Sequence, residues 1–430
     1  MTRGGTRGFV LVGFPDVNGR LRGKALSEAA FEHGVERGLA MTDLMLGVDY
    51  ADEPIEDFTT LGIKVGAPDL VLRPDLTTLH PVQWRDGWQV CLADAHWSDG
   101  RPCELASRQA LRHALSELEQ EGLAVRAALE YEVRLSDRDG RWLSDGISYG
   151  WEQIAGLDFF VERLASGFEG LEVELTAVHT EAGPGLIEIN LGPALGVEAA
   201  DWAALTKFAV KDVAASFGLK ASFLAKTDPG QEGSSGHLHV SCWENDANAM
   251  AIGRDSEKLP PVLSAAVAGL LRHMPAASSF FNPTVNSYKR LVPGWFAPVN
   301  ASWGFDNRSA ALRVIRSERP DECRIECRRP GADANPYLVL AAATAAIVSG
   351  LRSGAAPPHP VEDDAYVAKG LPALPASLDE SLAALASDSA LRTLLGEELC
   401  RYFETTRRWE LKAFQRAVTE WERSRYGEAV

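Results

Sequence analysis

The 430-residue sequence predicts an α+β protein of two domains, and three observations lead there. The chain is too long for one simple core. Four separate segments alternate polar and apolar residues with the period of a strand. Longer segments between and after them carry the 3.6-residue period of a helix. We expect a small mixed domain over residues 1–105 and a larger one over 106–430.

In the first domain, residues 8–15 and 88–94 (WQVCLAD) are strand-like, and DVNGRLRGKAL (16–26) holds a tight Asn-Gly turn. ELASRQALRHALSELEQEG (104–122) is helical, with a Ser near its start and Gly122 at its end, and opens the larger domain. Short strands then alternate with helices such as AADWAALTKFAVKDVAASFG (199–218). The longest apolar run, LVLAAATAAIVSGL (338–351), is too short and too Ala-rich to span a membrane and reads as a buried helix. The Pro-rich stretch 354–375 reads as a surface loop, and the remainder as Pro-free helix.

Composition narrows the function. With 43 basic against 60 acidic residues the net charge is -17, which argues against a nucleic-acid-binding body and suits a site that collects cations. MTRGGTRGFVLVGF lacks the long apolar stretch of a signal peptide. Cys91, Cys103, Cys242, Cys323, Cys327 and Cys400 show no CxxC spacing; they read as reduced thiols of a cytoplasmic protein, none a strong nucleophile.

The alternating segments carry the chemistry. In ALEYEVRL, Glu130, Glu132 and Arg134 oppose Leu129, Tyr131, Val133 and Leu135. In HLHVSCW, His237, His239 and Ser241 oppose Leu238, Val240 and Cys242; in RIECR, Arg324, Glu326 and Arg328 oppose Ile325 and Cys327. HTEAGPGLIEINL places Glu181 before a Gly-Pro-Gly turn and Glu188 on the strand after it. Wet strand faces usually favour Thr, Lys and Ser. Five carboxylates and one His instead suit hard divalent cations such as Mg²⁺ or Mn²⁺, and arginines beside them suit phosphate or carboxylate oxygens. Periodicity alone leaves open whether these faces converge or are simply solvated. A Walker A loop is absent: NGRLRGKA (18–25) lacks the first Gly and the final Ser/Thr, and reads as a turn.

Six stretches in order resemble the glutamine synthetase family: EYE (130–132), HTEAGPGLIEIN (179–190), GSSGHLHVS (233–241), NPTVNSYKRLVPG (282–294), DNRSAALRV (306–314) and RIECRRPGADANPYLVLAA (324–342). The resemblance implies an N-terminal β-grasp domain and a catalytic domain whose curved antiparallel sheet, backed by helices, forms a funnel. It implies a homo-dodecamer of two hexameric rings, with active sites between subunits. It also implies two or three Mg²⁺ (or Mn²⁺) ions per site and ATP as co-substrate. Carried over residue by residue, Glu132, Glu181 and Glu188 would hold one metal, and Glu130, His237 and Glu326 another. His239, Ser241, Arg313 and Arg324 would face the nucleotide. Gly233, Arg290, Arg308 and Arg328 would hold the substrate carboxylate, with Glu181, Arg290 and Arg308 acting in catalysis.

The sequence departs from the family's glutamine-forming members at the flap. Two residues after its Pro-Gly, Phe296 stands where they carry a Glu that helps bind ammonium. The loop LMLGVDYADEPIED (44–57) and the start FPDVNGRLRGKAL resemble the γ-glutamyl-polyamine and γ-glutamyl-ethanolamide synthetase branches, and Leu186 replaces the usual Gln of Gly-Pro-Gly-Gln. The expectation is a γ-glutamyl-amide ligase joining glutamate to a small organic amine, with Trp295, Phe296 and Asp49 in the amine pocket. A divergent ammonia-using glutamine synthetase and a non-catalytic scaffold are the competing readings. In this view the aromatic pair either faces the amine or merely packs the loop.

Overall fold

The computed structural model describes residues 8–430, so residues 1–7 of the leader reading lie outside it. Six strands form the first sheet: β1 (Val10–Pro15), β2 (Leu21–Leu26), β3 (Leu39–Thr42), β4 (Asp69–Pro74), β5 (His80–Pro81) and β6 (Gln89–His96). Their order is β2-β1-β6-β4-β3, with β5 on β6. The pairing of β1 with β6 is parallel, and the helix Glu28–Arg37 links β2 to β3, which is the β-grasp arrangement. The Asn-Gly turn forms because Asp16 Oδ1 accepts from the backbone N–H groups of Asn18 and Arg20, both at 2.9 Å, while Gly19 takes φ +74°.

The second sheet has ten strands: β7 (Ala124–Ser136), β8 (Leu175–Thr180), β9 (Leu186–Leu191), β10 (Ala194–Leu195), β11 (Lys220–Ser222), β12 (Gly236–Glu244), β13 (Ala247–Asn248), β14 (Trp303–Phe305), β15 (Leu312–Ile315) and β16 (Arg324–Cys327). Its order is β14-β15-β16-β12-β7-β9-β8, with β10 and β11 added to β7 and β13 to β12. The β14–β15 pair is parallel, and the rest are antiparallel.

Strand alternation decides which face is dry. Leu129, Tyr131, Val133 and Leu135 are buried on the back of β7, against the helix Val197–Ser216, and leave Glu130 and Glu132 on the opposite face. Behind this layer the helices Ser107–Glu119, Pro261–Phe281 and Pro336–Ser353 pack together. Glycines allow the closest crossing. A Cβ on Gly269 would lie 2.1 Å from Ala346 O, and one on Gly350 2.0 Å from Ala265 O. The longest apolar run is therefore a core helix: Pro336–Ser353 is long and apolar enough to cross a membrane, yet 78% of it is buried in the protein.

Ser107 opens its helix after the cap position Ala106, and its Oγ donates to Pro15 O (3.0 Å) and Asp16 O (3.2 Å), tying helix to first sheet. One local expectation changes. The Pro-rich stretch 354–375 has no helix or strand but is more than a surface loop. Its carbonyls accept from Trp303 Nε1 (at Pro358, 2.8 Å) and Arg329 Nη2 (at Pro375, 2.6 Å), and Ala365 is fully buried.

One buried cation joins the two sheets' layers. Arg108 donates to Asp201 (2.9 and 2.8 Å), to Asp94 (2.8 Å) and to Asp75 (2.8 Å), and Tyr337 Oη donates to the same Asp201 (2.7 Å). Replacing it strands the buried Asp201 without a counter-charge, while Asp75 and Asp94 keep Arg112. We expect Arg108→Met to cost about 3–5 kcal/mol, read as a drop in the denaturant midpoint of the purified protein.

Candidate active site

Register turns the sequence pattern into a site. Across the sheet His179 (β8) pairs with Glu188 (β9), and Glu188 with Glu132 (β7). Glu130 on β7 pairs with His237 on β12; His239 on β12 pairs with Glu326 on β16, and Glu326 with Arg313 on β15. Paired residues share a face, so these strands deliver their polar groups to one concave side. There a cavity of about 350 Å³ is lined by Glu130, Glu132, Glu181, Glu188 and Glu326, facing Arg290, Arg308, Arg313 and Arg328.

The acidic side has two clusters. His237 Nδ1 lies 2.6 Å from Glu130 and 3.6 Å from Glu326, while His239 Nε2 lies 3.2 Å from Glu130. In the second, His179 reaches Glu188 at 3.1 Å and Glu181 at 3.4 Å, and all three offer ligand atoms within 4.8 Å of one another. Glu132 is held nearby through Ser235 N–H at 2.7 Å. Asn190 donates to Glu130 (3.0 Å) and Glu188 (2.9 Å), bridging the two sets. His237 Nε2 is buried with no hydrogen-bond partner. Hard carboxylates with an orphaned imidazole nitrogen fit a divalent cation.

Electrostatics agree with that reading. Burial alone would raise Glu130, but His239 and His237 outweigh it and hold the carboxyl well below its usual range. Glu326 is also lowered: Arg328, then the two histidines, overcome its burial. Glu132 goes the other way, raised chiefly by burial. Glu181 is pushed up to about 7, by burial first and then by the negative charges of Glu188 and Glu132.

The basic side is built from the loop 282–300 and the end of β16. Arg290 is buried, donating to Ser235 Oγ (3.1 Å) and to the carbonyl of Arg329, with its Nε unpartnered. Arg328 donates to Glu326 and also keeps a buried, unpartnered Nε. Arg308 is exposed at the rim. Gly233 is required by packing, because a Cβ there would lie 2.3 Å from Arg290 Cγ.

Beside this cavity lies another of about 500 Å³, shared by Glu130, His239, Ser241 and Arg324 and walled by Trp243 under Arg126 (4.0 Å). Ser241 Oγ accepts from Trp243 Nε1 (2.9 Å), and Arg324 Nε donates to His239 Nδ1 (3.0 Å). Arg313 lies with the carboxylates instead, donating to Glu326 at 3.0 Å. His239 likewise stands in the Glu130–Glu326 cluster as well as in the second cavity. Trp295, Phe296, Leu186 and Tyr149 line the first cavity. Asp49 does not line it within its own chain: its carboxylate accepts from Ala51 N, Glu53 N and Trp409 Nε1 and so shapes the acidic loop.

Three neighbours were missed. His179 was legible, since it shares the period-2 face of Glu181; Asn190 shares that of Glu188. Tyr149 carried no such signal. Its φ of +55° is held by its own N–H on Thr180 O (2.8 Å), and its ring stacks on His179 at 4.5 Å.

A metal held by Glu181 would have to displace its proton wherever that carboxyl is protonated. The apparent Mn²⁺ affinity should therefore fall by about tenfold per pH unit below pH 7. Calorimetric titration in buffers of different ionisation heat should show proton release near pH 6.5 that Glu181→Gln abolishes.

Comparison with known proteins supplies the family. The model for the glutamine synthetase catalytic domain matches residues 104–426. Type-1 glutamine synthetase 2 of Dictyostelium discoideum is 32% identical over 98% of this chain and 84% of its own. The glutamate–isopropylamine ligase of a Pseudomonas species is 31% identical over 97% and 94%. A solved GmaS–ADP complex superposes with a TM-score of 0.87 at 27% identity, covering 98% of this chain and 97% of that one. With its motifs on the strands that surround the acidic cavity, the chain belongs to the glutamine synthetase family of carbon–nitrogen ligases.

Proposed function

We propose that the protein is an ATP-dependent ligase that joins the γ-carboxylate of glutamate to an organic amine. A carboxylate is a poor electrophile with oxide as its leaving group. In the first step a γ-carboxylate oxygen attacks the γ-phosphorus of ATP, the bond to ADP breaks, and an acyl phosphate forms. In the second, the amine nitrogen attacks the acyl carbon, phosphate leaves, and the nitrogen gives up a proton.

Arg290, Arg308 and Arg328 hold the carboxylate and the transferring phosphoryl group, opposite the carboxylates, with Gly233 leaving room for Arg290. His239, Ser241 and Arg324 face the nucleotide from the second cavity, with Arg313 on the side of the phosphates. Two or three Mg²⁺ or Mn²⁺ ions would be held by Glu132, Glu181 and Glu188 on one side and by Glu130, His237 and Glu326 on the other. When bound they offset the charge of two anions that must meet. Glu181, which lines the reaction cavity, or the bound phosphate would take the amine's proton.

The observation that carries the choice of amine is Phe296. It is 58% exposed, held at φ +52° just after Gly294, and lines the reaction cavity. A residue that only packed the loop would be covered. Trp295 stands beside it with Lys226 Nζ 3.9 Å from its ring centroid, and Leu186 and Tyr149 add apolar surface. An ammonium ion would find no flap carboxylate here, whereas an organic amine gains about 0.8 kcal/mol per buried CH₂. The relative named for isopropylamine uses an amine of this kind.

The same reading includes a ring oligomer of two hexamers, in which Asp49 and the exposed Asp52, Glu53, Glu56 and Asp57 lie beside a neighbour's amine pocket. It also places the protein in the cytoplasm, in keeping with six buried, unpaired cysteines.

The test is phosphate release with glutamate, ATP and Mg²⁺ across ammonia, short alkylamines, ethanolamine, diamines and aromatic amines, with products weighed by mass. Turnover should favour an organic amine; preference for ammonia would mean a divergent glutamine synthetase. Phe296→Glu should raise kcat/KM for ammonia relative to an alkylamine by about tenfold or more, a shift of about 1.4 kcal/mol. No hydroxamate from glutamate and hydroxylamine would overturn the acyl-phosphate route.

A further inference from the structure

A concavity of about 840 Å³, larger than the reaction cavity, lies elsewhere in the structure. It opens behind β7, between the Asn18–Leu21 turn, the helix Val197–Ser216, β11 and the start of the loop 282–300. Three cations line it: Arg20, Lys207 and Lys211. Among the described residues none of them forms an ion pair with a carboxylate. Lys207 is half-buried; its ammonium donates to Ala334 O at 2.6 Å and lies 5.0 Å from the ring centre of Tyr131 and 5.6 Å from that of Phe223. One acceptor leaves two of its N–H groups to be filled.

Each carboxylate on the same wall already accepts hydrogen bonds from other groups, although Asp333 Oδ1 stays unpartnered. Asp212 accepts from Arg85 and Trp84, Glu410 accepts from Tyr50 N–H, and Asp333 Oδ2 accepts from Thr284 and Ser287. Between the cations the walls are aromatic, from Tyr50, Phe208 and Phe223. Asp333 offsets part of the charge of Lys207, but among the described residues no carboxylate is in ion-pair contact with any of the three cations, so an anion placed between them would be favoured. Lys207 shows the strain: burial first, then the charge of Lys211, push it down to about 7.

We propose that this cavity is a second ligand site, for a small organic anion whose carboxylate or phosphate meets Lys207, Lys211 and Arg20 and whose flat apolar body lies on the aromatic walls. The site has a connection to the flap. Asn286, on its wall, clamps the backbone of Lys226 in both directions at 2.9 Å, and Lys226 Nζ covers the ring of Trp295. Occupancy would thus be felt at the amine pocket.

Benzoate and phenyl phosphate serve as probes, titrated calorimetrically into the full-length protein with the reaction centre saturated by Mg-ADP and glutamate. Binding of at least one probe should survive that saturation and weaken by about tenfold in both Lys207→Met and Lys211→Gln, the loss of one charge-assisted hydrogen bond. The rim variant Lys211→Gln gives the answer should Lys207→Met fail to fold. Preference between the probes distinguishes a carboxylate from a phosphate ligand, either of which supports the site. Binding that disappears on saturation, binding equal in wild type and Lys211→Gln, or no binding of either probe overturns it.

Discussion

The structure is organised around a concentration of like charge. Glu130, Glu132, Glu181, Glu188 and Glu326 surround one small cavity, and separated carboxylates would repel each other out of any mobile loop. Cross-strand register is what holds most of them there. Glu188 stands opposite Glu132 and His237 opposite Glu130, so moving any one of these carboxylates means breaking the ladder. The histidines, Asn190 and the arginines then divide the charge into two clusters and a basic wall. The fold's helical mass and the Arg108 ion cluster keep this sheet rigid and joined to the first one.

A rigid anionic centre also explains why the amine end is free to vary. Glu130, Glu132, Glu188 and Glu326 are fixed to strands, whereas the entrance is made by a loop with Gly294 and Phe296 in left-handed conformations and by Tyr149 in a third. Under the proposed function, changing the flap from a carboxylate to an aromatic would alter which nucleophile is favoured without disturbing the strand-borne carboxylates. The cationic cavity behind β7 sits on the other side of the same sheet and reaches that loop through Asn286 and Lys226. On both proposals, specificity and its control would meet in the loop.

Much of the fold was legible because burial on one face of a strand leaves a period of two. Leu129, Tyr131, Val133 and Leu135 are dry and Glu130 and Glu132 are not, as the alternation requires. The same rule would have found His179 and Asn190 had it been pressed further. It could not find Tyr149, whose place depends on a left-handed turn and a bond to Thr180. Nor could it see that Ser107 reaches back to Pro15, or that residues 354–375 are fastened by Trp303 and Arg329, since those contacts join segments far apart in the chain.

Local sequence by itself determined the strand faces, the Asn18–Gly19 turn, the main helices and the residue types a metal-dependent acyl activation needs. Those properties follow from near-neighbour sterics and from periodicity. Tertiary structure alone decided that four alternating faces become one site, that Arg313 and His239 join the carboxylates, and that Asp49 turns into its own loop while Phe296 stays exposed at the cavity. Each of these is set by strand register or by long-range packing, and neither is written in the spacing of any single segment.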